Sequence, residues 1–380
     1  MTSETQDEVN FASQTWVWLP DKEKIFIKGY IVEELKQNQV KVRCEDAAVD
    51  KIENKDFLEK VNPPKFDKCD DMASLTYLNE PSVLYNLKLR YMDNLIYTYS
   101  GLFLVAINPY QDINIYNRDF VELYNSNSAA GNDDKIQKPH IFGIAEKALQ
   151  QLIKDKKNQS ILVTGESGAG KTENTKKIIQ YITTVISSTS SQNSNSKSNT
   201  NFNFDEKILE ANPILESFGN SQTVKNNNSS RFGKFIKLSI NPNTKNLTGA
   251  NIEWYLLEKS RAVHQNSNER NYHIFYQLLN GLSDGEMAAL QLTRSVKHYN
   301  YLKNSNSQIP GVDDKKEFKN LVKALKTINF STIEMANIFK ILAIILLLGN
   351  IEFKNFNDDK QAILLDSSPI AMNNCLKILF

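Results

Sequence analysis

The sequence predicts an α/β domain with a mixed central sheet, preceded by a small β-barrel. Two patterns predict this order: short alternating strands up to residue 62, and alternating helices and strands after residue 71. The chain has 380 residues and a formal net charge of +1. This length predicts two or three structural units, and the balanced charge argues against a dedicated nucleic-acid binder or a polybasic membrane protein.

The predicted β-barrel occupies residues 11–62. Strands are expected at 16–20, 25–30 and 39–43, because apolar and polar residues alternate there around turn-forming pairs such as Pro20-Asp21. Asn62 and two prolines then end the strand pattern and mark a linker. The second domain is assigned to residues 63–380.

Helical and strand patterns alternate through this second domain. Strands are expected at 101–107, 160–163, 235–240 and 251–257, and helices at 141–152, 171–186 and most of 313–349. The first of these strands is continuously apolar, which predicts burial on both faces. The helix at 171–186 should turn Ile178, Ile179, Ile182 and Val185 inward, and Leu84, Leu87 and Tyr91 share another helical face. Trp254 is expected in the core.

The serine- and asparagine-rich segment 187–204 cannot supply a core, so it is predicted to be a flexible loop, either functional or a tolerated insertion. The three cysteines lie far apart and form no disulfide framework, which favours a reducing compartment. The polar N-terminus is unlike a signal peptide, and the longest apolar run, Ile341–Leu348, is too short to cross a bilayer. We therefore expect a soluble, cytosolic protein. The four histidines are scattered along the chain, and we expect none of them to be catalytic.

One motif carries specific chemistry. Residues 165–172 match G-x-x-x-x-G-K-[ST] at every fixed position, between a predicted strand and a predicted helix. In this pattern backbone N–H groups approach phosphate oxygens, Lys171 neutralises β/γ-phosphate charge and Thr172 holds Mg²⁺. The predicted nucleotide-binding residues of the motif are Gly165, Glu166, Ser167, Gly168, Ala169, Gly170, Lys171 and Thr172. The pattern predicts a P-loop NTPase fold.

A second polar run, Asn226–Lys234, lies about sixty residues beyond the P-loop and leads into a strand. Alone it suits an ordinary turn rich in asparagine and serine. Together with a P-loop it is a candidate sensor of the γ-phosphate.

These strings resemble the myosin motor head. Residues 165–174 resemble the myosin P-loop, and residues 226–234 resemble its switch I, ending Ser-Ser-Arg-Phe-Gly-Lys, whereas kinesins continue Ser-Ser-Arg-Ser-His. Segments 71–80, 215–220, 255–261 and 269–277 are also similar to myosin heads, so the resemblance spans roughly residues 11–380. The N-terminal strands resemble the domain that precedes conventional, filament-forming heads.

The resemblance implies a role for each matching residue. Lys171 contacts the β/γ-phosphates, and Thr172 and Ser230 bind Mg²⁺. Asn226 and Ser229 approach the γ-phosphate, with Ser229 helping to position the attacking water. Arg231 pairs with a glutamate of switch II. The implied adenine-covering residues are Asn108, Pro109 and Tyr116. Asp112 departs from the pattern, because many myosins place a basic residue there.

The family's switch II string, Asp-Ile-x-Gly-Phe-Glu, does not occur in these 380 residues, so we expect Arg231 to lack its partner. We also expect the chain to be the N-terminal part of a motor head, with the later parts of the head and the light-chain region absent. The implied activity is Mg-ATP hydrolysis coupled to movement on actin filaments in the cytoskeleton. The alternatives are a nucleotide-binding fragment without motor activity and a small-molecule kinase, although no basic lid is apparent.

Overall fold

A computed structural model of the chain describes residues 11–45, 50–129, 138–193, 202–306, 308–356, 361–365 and 368–379. The chain divides into two compact units. The first contains residues 1–150 and 159–161, and the second contains residues 151–158 and 162–380.

The first unit opens with a five-stranded antiparallel sheet in the order β4-β3-β2-β1-β5. Its strands are β1 Trp16–Asp21, β2 Ile25–Glu34, β3 Gln39–Cys44, β4 Asp50–Asn54 and β5 Glu59–Lys60. The carboxylate of Asp21 closes the first hairpin by accepting the N–H groups of Glu23 and Lys24, each at 3.0 Å. Alternate apolar side chains on one face form a small core. The three strands predicted in this segment are confirmed.

The rest of the first unit is a β-hairpin with three helices. Its elements are α1 Glu80–Met92, β6 Tyr97–Ser100, β7 Phe103–Ala106, α2 Arg118–Ala129 and α3 Ile141–Asp155, the last of which ends beyond residue 150. Helix α1 is confirmed. On the face that carries the residues at helical spacing Leu84 is 40% exposed, whereas Arg90 on another face is buried. Arg90 can be buried because its guanidinium donates hydrogen bonds to Asp70 Oδ1 at 2.7 Å and to the carbonyl of Tyr97 at 2.8 Å.

The second unit is mainly helical around one large apolar core. Its helices are α4 Lys171–Asn193, α5 Phe202–Gly219, α6 His273–Gly281, α7 Asp284–Ala289, α8 Asp314–Thr327, α9 Thr332–Leu348 and α10 Ser368–Leu379. The predicted inward residues of α4, Ile178, Ile179, Ile182 and Val185, are all buried. Within α9, Leu342 and Leu346 are buried whereas Ile341 is 57% exposed, so the apolar run is a helix that is only partly buried.

Three antiparallel pairs complete the second unit. They are β8 Asn220–Ser221 with β9 Ser229–Ser230, β10 Gly233–Asn241 with β11 Asn246–Tyr255, and β12 Phe353–Phe356 with β13 Gln361–Leu364. The strands predicted at 235–240 and 251–257 are thus found as one hairpin. Trp254 is 62% exposed on that hairpin, so its expected place in the core is wrong.

The predicted mixed central sheet is not found among the described residues, where each named strand pair is antiparallel. Residues 160–163 form no strand, because no described segment pairs with them, and Leu162 is 86% exposed. Strand β7 is found, but its first residue Phe103 and the preceding Leu102 are exposed, so the predicted burial on both faces is wrong. The loop predicted at 187–204 is wrong for 187–193, which continue α4, and for 202–204, which begin α5. Residues 194–201 lie outside the described part.

Cys44, Cys69 and Cys375 are all free thiols, so the prediction that they form no disulfide framework is confirmed. Among the described residues, none of the helices combines the length and the apolar character needed to span a membrane.

Candidate functional site

The candidate site lies in the second unit, where a glycine-rich loop precedes helix α4. Gly165, Gly168 and Gly170 have φ values of 151°, 84° and 90°, a region that residues with a Cβ rarely adopt. A Cβ on Gly165 would also stand only 3.1 Å from the Cβ of Ala169. The loop therefore depends on glycine to expose its backbone, and this is the property that phosphate binding requires.

Helix α4 begins at Lys171. Its first helical hydrogen bond runs from the N–H of Asn174 to the carbonyl of Gly170, at 2.9 Å. N–H groups that precede such a bond have no partner within the helix, so they face outward from its N-terminus toward the loop. The partial positive charge of a helix N-terminus adds to their attraction for an anion.

The ammonium group of Lys171 bridges the loop. Its Nζ donates to the carbonyl oxygens of Gly165 and Glu166, both at 2.7 Å. These bonds hold the cation against the backbone of the loop, and neutral carbonyl oxygens are partners that a phosphate oxygen can replace at a gain in charge pairing.

The structure brings the P-loop and the second polar run together. Ser167 Oγ lies 3.1 Å from Ser229 Oγ, across 62 residues of sequence. Ser229 is 3% exposed and also accepts a hydrogen bond from Nη1 of Arg231 at 3.1 Å. Three predicted site residues, one from the loop and two from the run, are therefore in one hydrogen-bonded chain.

Arg231 pairs with a carboxylate, Glu258, that is not the switch II glutamate implied by the resemblance. Its Nε donates to Glu258 Oε2 at 2.6 Å, and the same oxygen accepts from Nε of the buried Arg261 at 2.7 Å. Arg261 continues to Glu269 Oε2 at 2.9 Å. Burial acts to raise the pKa of Glu258, but the hydrogen bonds from Arg261 and Arg231 outweigh it and hold that pKa below its usual value.

Glu258 was not among the sequence-predicted site residues. It lies 27 residues after Arg231 along the chain, and no local pattern joins the two. The available signal was weak: a glutamate and an arginine three residues apart, in a segment that resembles myosin heads. The antiparallel register of β10 and β11 places this segment beside Arg231, as the bond from the N–H of Glu258 to the carbonyl of Arg231 at 2.9 Å shows.

The other residues of the run Asn226–Lys234 make hydrogen bonds that fix the conformation of this loop. Asn226 Oδ1 accepts the N–H of Asn228 at 3.0 Å, and β9 pairs with β8 through Ser229 and Ser230. The side chain of Ser230 is exposed. Lys234 donates to Asn212 Oδ1 at 3.1 Å, and burial lowers its pKa. Asn226, Ser229 and Ser230 thus lie within five residues on a loop fixed by backbone pairing.

The expected adenine-covering residues lie in the first unit, on the loop after β7. Asn108 Oδ1 accepts the N–H of Tyr110 at 3.1 Å, and the carbonyl of Pro109 accepts from the hydroxyl of Tyr91 at 3.3 Å. The hydroxyl of Tyr116 lies 2.9 Å from that of Tyr97. These contacts fix the loop within its own unit, and its role toward a nucleotide stays a prediction.

Comparison with known proteins gives two matching family models. The model described as "Myosin head (motor domain)" matches residues 69–378, and the model described as "Myosin N-terminal SH3-like domain" matches residues 3–62. The two matches together cover nearly all of the described sequence.

Individual relatives agree. The chain is 52% identical to myosin type-2 heavy chain 2 of Schizosaccharomyces pombe over 91% of its own length, and 49% identical to Myosin-1 of Saccharomyces cerevisiae over 95%. It is 46% identical to a probable myosin heavy chain of Encephalitozoon cuniculi over 92%. The chain spans 16% to 20% of the length of these relatives.

Proposed function

We propose, since this chain belongs to the myosin head (motor domain) family, that its second unit binds Mg-ATP with a P-loop NTPase fold and that the whole protein is an actin-based motor. The observation that carries the proposal is the contact of Ser167 with Ser229, which joins the P-loop to switch I. A phosphate chain seated on the loop would therefore lie beside the run that the family uses to sense its end.

The residues present suit both the nucleotide and its metal. The three glycines with positive φ leave the loop open to phosphate oxygens, and Lys171 supplies a positive charge over them. The hydroxyls of Thr172 and Ser230 are the hard oxygen donors that Mg²⁺ prefers. Mg²⁺ commonly keeps waters and phosphate oxygens as its other ligands, so two protein hydroxyls are sufficient. When bound, the metal supplies positive charge to the transferring phosphoryl group.

We assign the catalytic work of the chain to Lys171, Ser229 and Arg231. Lys171 stabilises charge that develops on the phosphoryl oxygens. Ser229 holds the attacking water by its hydroxyl, and Asn226 lines the same side. Arg231 orients that hydroxyl, since its guanidinium donates to Ser229 Oγ at 3.1 Å while Glu258 fixes its other edge. Positioning of this kind supplies much of the barrier reduction in phosphoryl transfer.

We assign the adenine to Asn108, Pro109 and Tyr116 of the first unit. The support within that unit is rigidity: Tyr97, which is 2% exposed, holds the hydroxyl of Tyr116, and Tyr91 holds the carbonyl of Pro109. An aromatic ring held by packing and a hydrogen bond can face a base at little cost in conformational entropy.

Actin filaments are the proposed partner of the whole protein, and the actin cytoskeleton is its proposed location. The second candidate is a nucleotide-binding protein without motor activity, since the contact between the P-loop and switch I supports nucleotide binding by itself.

Steady-state phosphate release by a head containing this chain, with and without actin filaments, tests the proposal. We expect actin-stimulated turnover that is lost when Lys171 is replaced by Ala. Near-normal turnover in Lys171→Ala would overturn the P-loop assignment. Nucleotide binding without turnover in the unmodified head would favour the second candidate.

A further inference from the structure

One carboxylate that is not among the predicted site residues contacts both helix α4, which follows the P-loop, and switch I. Glu216, near the end of α5, has its two oxygens directed to different partners. Oε1 lies 3.0 Å from Nζ of Lys176 in helix α4, and Oε2 accepts from Nδ2 of Asn228 in switch I at 3.2 Å.

The Lys176 arm leads to the P-loop. Lys176 lies one helical turn after Thr172, and its Nζ is also 2.9 Å from Glu173 Oε1 in the first turn of α4. Burial acts to lower the pKa of Lys176, but the carboxylates of Glu216 and Glu173 outweigh it and raise the pKa above its ordinary value. Lys176 therefore stays charged, and the side chains of Lys176 and Glu216 are only 28% and 26% exposed, which limits screening by solvent.

The Asn228 arm leads to the γ-phosphate side. Asn228 precedes Ser229, and its side-chain amide is held at both ends, because Nδ2 donates to Glu216 while Oδ1 accepts from Nδ2 of Asn220 at 2.8 Å. This arrangement leaves the amide one orientation. A shift of Glu216 would therefore displace Asn228 and, with it, the adjacent Ser229.

We propose that Glu216 is a positioning residue that couples helix α4 to switch I and so sets how strongly the site distinguishes a nucleoside triphosphate from a diphosphate. The inference rests on the proposed function. A γ-phosphate reaches switch I whereas a diphosphate ends at the P-loop, so loss of the coupling acts on triphosphate binding alone. A carboxylate that merely steadied α4 against α5 would affect both ligands equally.

The test measures dissociation constants of the full chain for Mg-ADP and for the non-hydrolysable β,γ-imido analogue of Mg-ATP. We expect Glu216→Ala and Asn228→Ala to weaken analogue binding on the order of tenfold, the size of one hydrogen bond to a charged group, and to leave ADP binding unchanged. The matched control is Glu210→Gln on the same helix, whose partner Lys323 lies 3.7 Å away and is 71% exposed. Equal losses for both ligands would overturn the proposal.

A double-mutant cycle separates coupling from two independent contacts. Lys176→Met removes one arm and Asn228→Ala the other. If both act through Glu216, the double variant loses no more analogue affinity than the worse single variant, whereas additive losses would contradict the coupling.

The failure of this inference is distinguishable from failure of the proposed function. If the unmodified chain and Lys171→Ala bind nucleotide equally, the site assignment itself fails. If Lys171→Ala abolishes binding while the Glu216 variants keep the normal ratio of the two constants, only the coupling fails. Thermal melting of each variant shows whether it is folded, and Asn228 is exposed enough for its replacement to leave the core intact.

Discussion

The side chain of His140 should make the first unit sensitive to acid. It lies directly before α3, and its Nδ1 accepts the N–H of Phe142 at 3.0 Å, so the ring is neutral on that nitrogen. The ring is 3% exposed and packs against the rings of Tyr97 and Phe142, with centroids 5.1 Å and 4.6 Å away. Burial lowers its pKa to about 4, although a hydrogen bond to the backbone of Ile115 acts in the opposite direction.

The pH dependence of stability that His140 causes follows from its pKa in the unfolded and in the folded chain. The unfolded chain takes up a proton near the ordinary pKa of 6.5, whereas the folded form resists it down to about 4. His140 therefore costs nothing above its unfolded pKa, and stability is lost progressively as the pH falls from 6.5 toward 4. Between about pH 7.5 and about pH 5 the loss amounts to about 2 kcal/mol of unfolding free energy.

The matched variant is His140→Asn, because asparagine keeps a side-chain acceptor at the start of α3 and has no titrating group. Its lost ring packing should lower stability at every pH by a similar amount. Urea unfolding, followed by the fluorescence of Trp16 and Trp18 in the first unit, gives the difference between the two proteins at each pH. We expect that difference to shrink by about 2 kcal/mol on going from about pH 7.5 to about pH 5. Parallel pH dependences would refute the reasoning.

Two further predictions concern the second unit. Replacing Glu258 with Gln should lower stability near neutral pH, and this loss should vanish in acid. The reason is that a carboxylate with a depressed pKa contributes stability above its unfolded pKa, and this contribution disappears as the pH falls through its folded pKa. Urea unfolding midpoints measured from neutral to acidic pH would check this, and a loss of stability independent of pH would contradict it. Replacing Gly219 with Ala should cost about 2 kcal/mol and weaken nucleotide binding, because the new Cβ would stand 2.4 Å from the ring of Phe232 in switch I. Gly249→Ala is the matched control, since its Cβ would meet only Ser239 Cβ at 3.9 Å, and equal effects of the two substitutions would refute the steric argument.

Local periodicity predicted the helices well and the strands less well. The inward face of α4 could be identified from Ile178 to Val185, because four residues at helical spacing are fixed by one element alone. A strand depends on partners elsewhere in the chain. Residues 160–163 have strand-like composition but pair with no described segment, so the pattern predicted an element that the fold does not form.

Alternation also misjudged burial. Trp254 lies in a strand that is found, β11, but that strand pairs only with β10 among the described residues and the indole is 62% exposed. Arg90 is the opposite case, because a charged residue is buried where backbone carbonyls and Asp70 accept hydrogen bonds from the two terminal nitrogens of its guanidinium. Hydrophobicity alone contains neither piece of information.

The candidate site was more predictable than the fold around it. The P-loop and switch I are continuous strings, so their residues could be identified without knowing what packs on them. Glu258 and Glu216 could not, since each reaches the site from another element through a contact more than ten residues away in sequence. Their roles are visible only in the hydrogen bonds that they make.

The most direct test of the central claim is equilibrium titration of this chain with a fluorescent Mg-ATP analogue. We expect saturable binding of one analogue per chain, loss of at least about tenfold in affinity for Lys171→Ala, and no change for Lys319→Ala, which removes an exposed lysine from α8 of the same unit. Equal affinities of the unmodified chain and Lys171→Ala would contradict the claim that the loop at 165–172 is the nucleotide site.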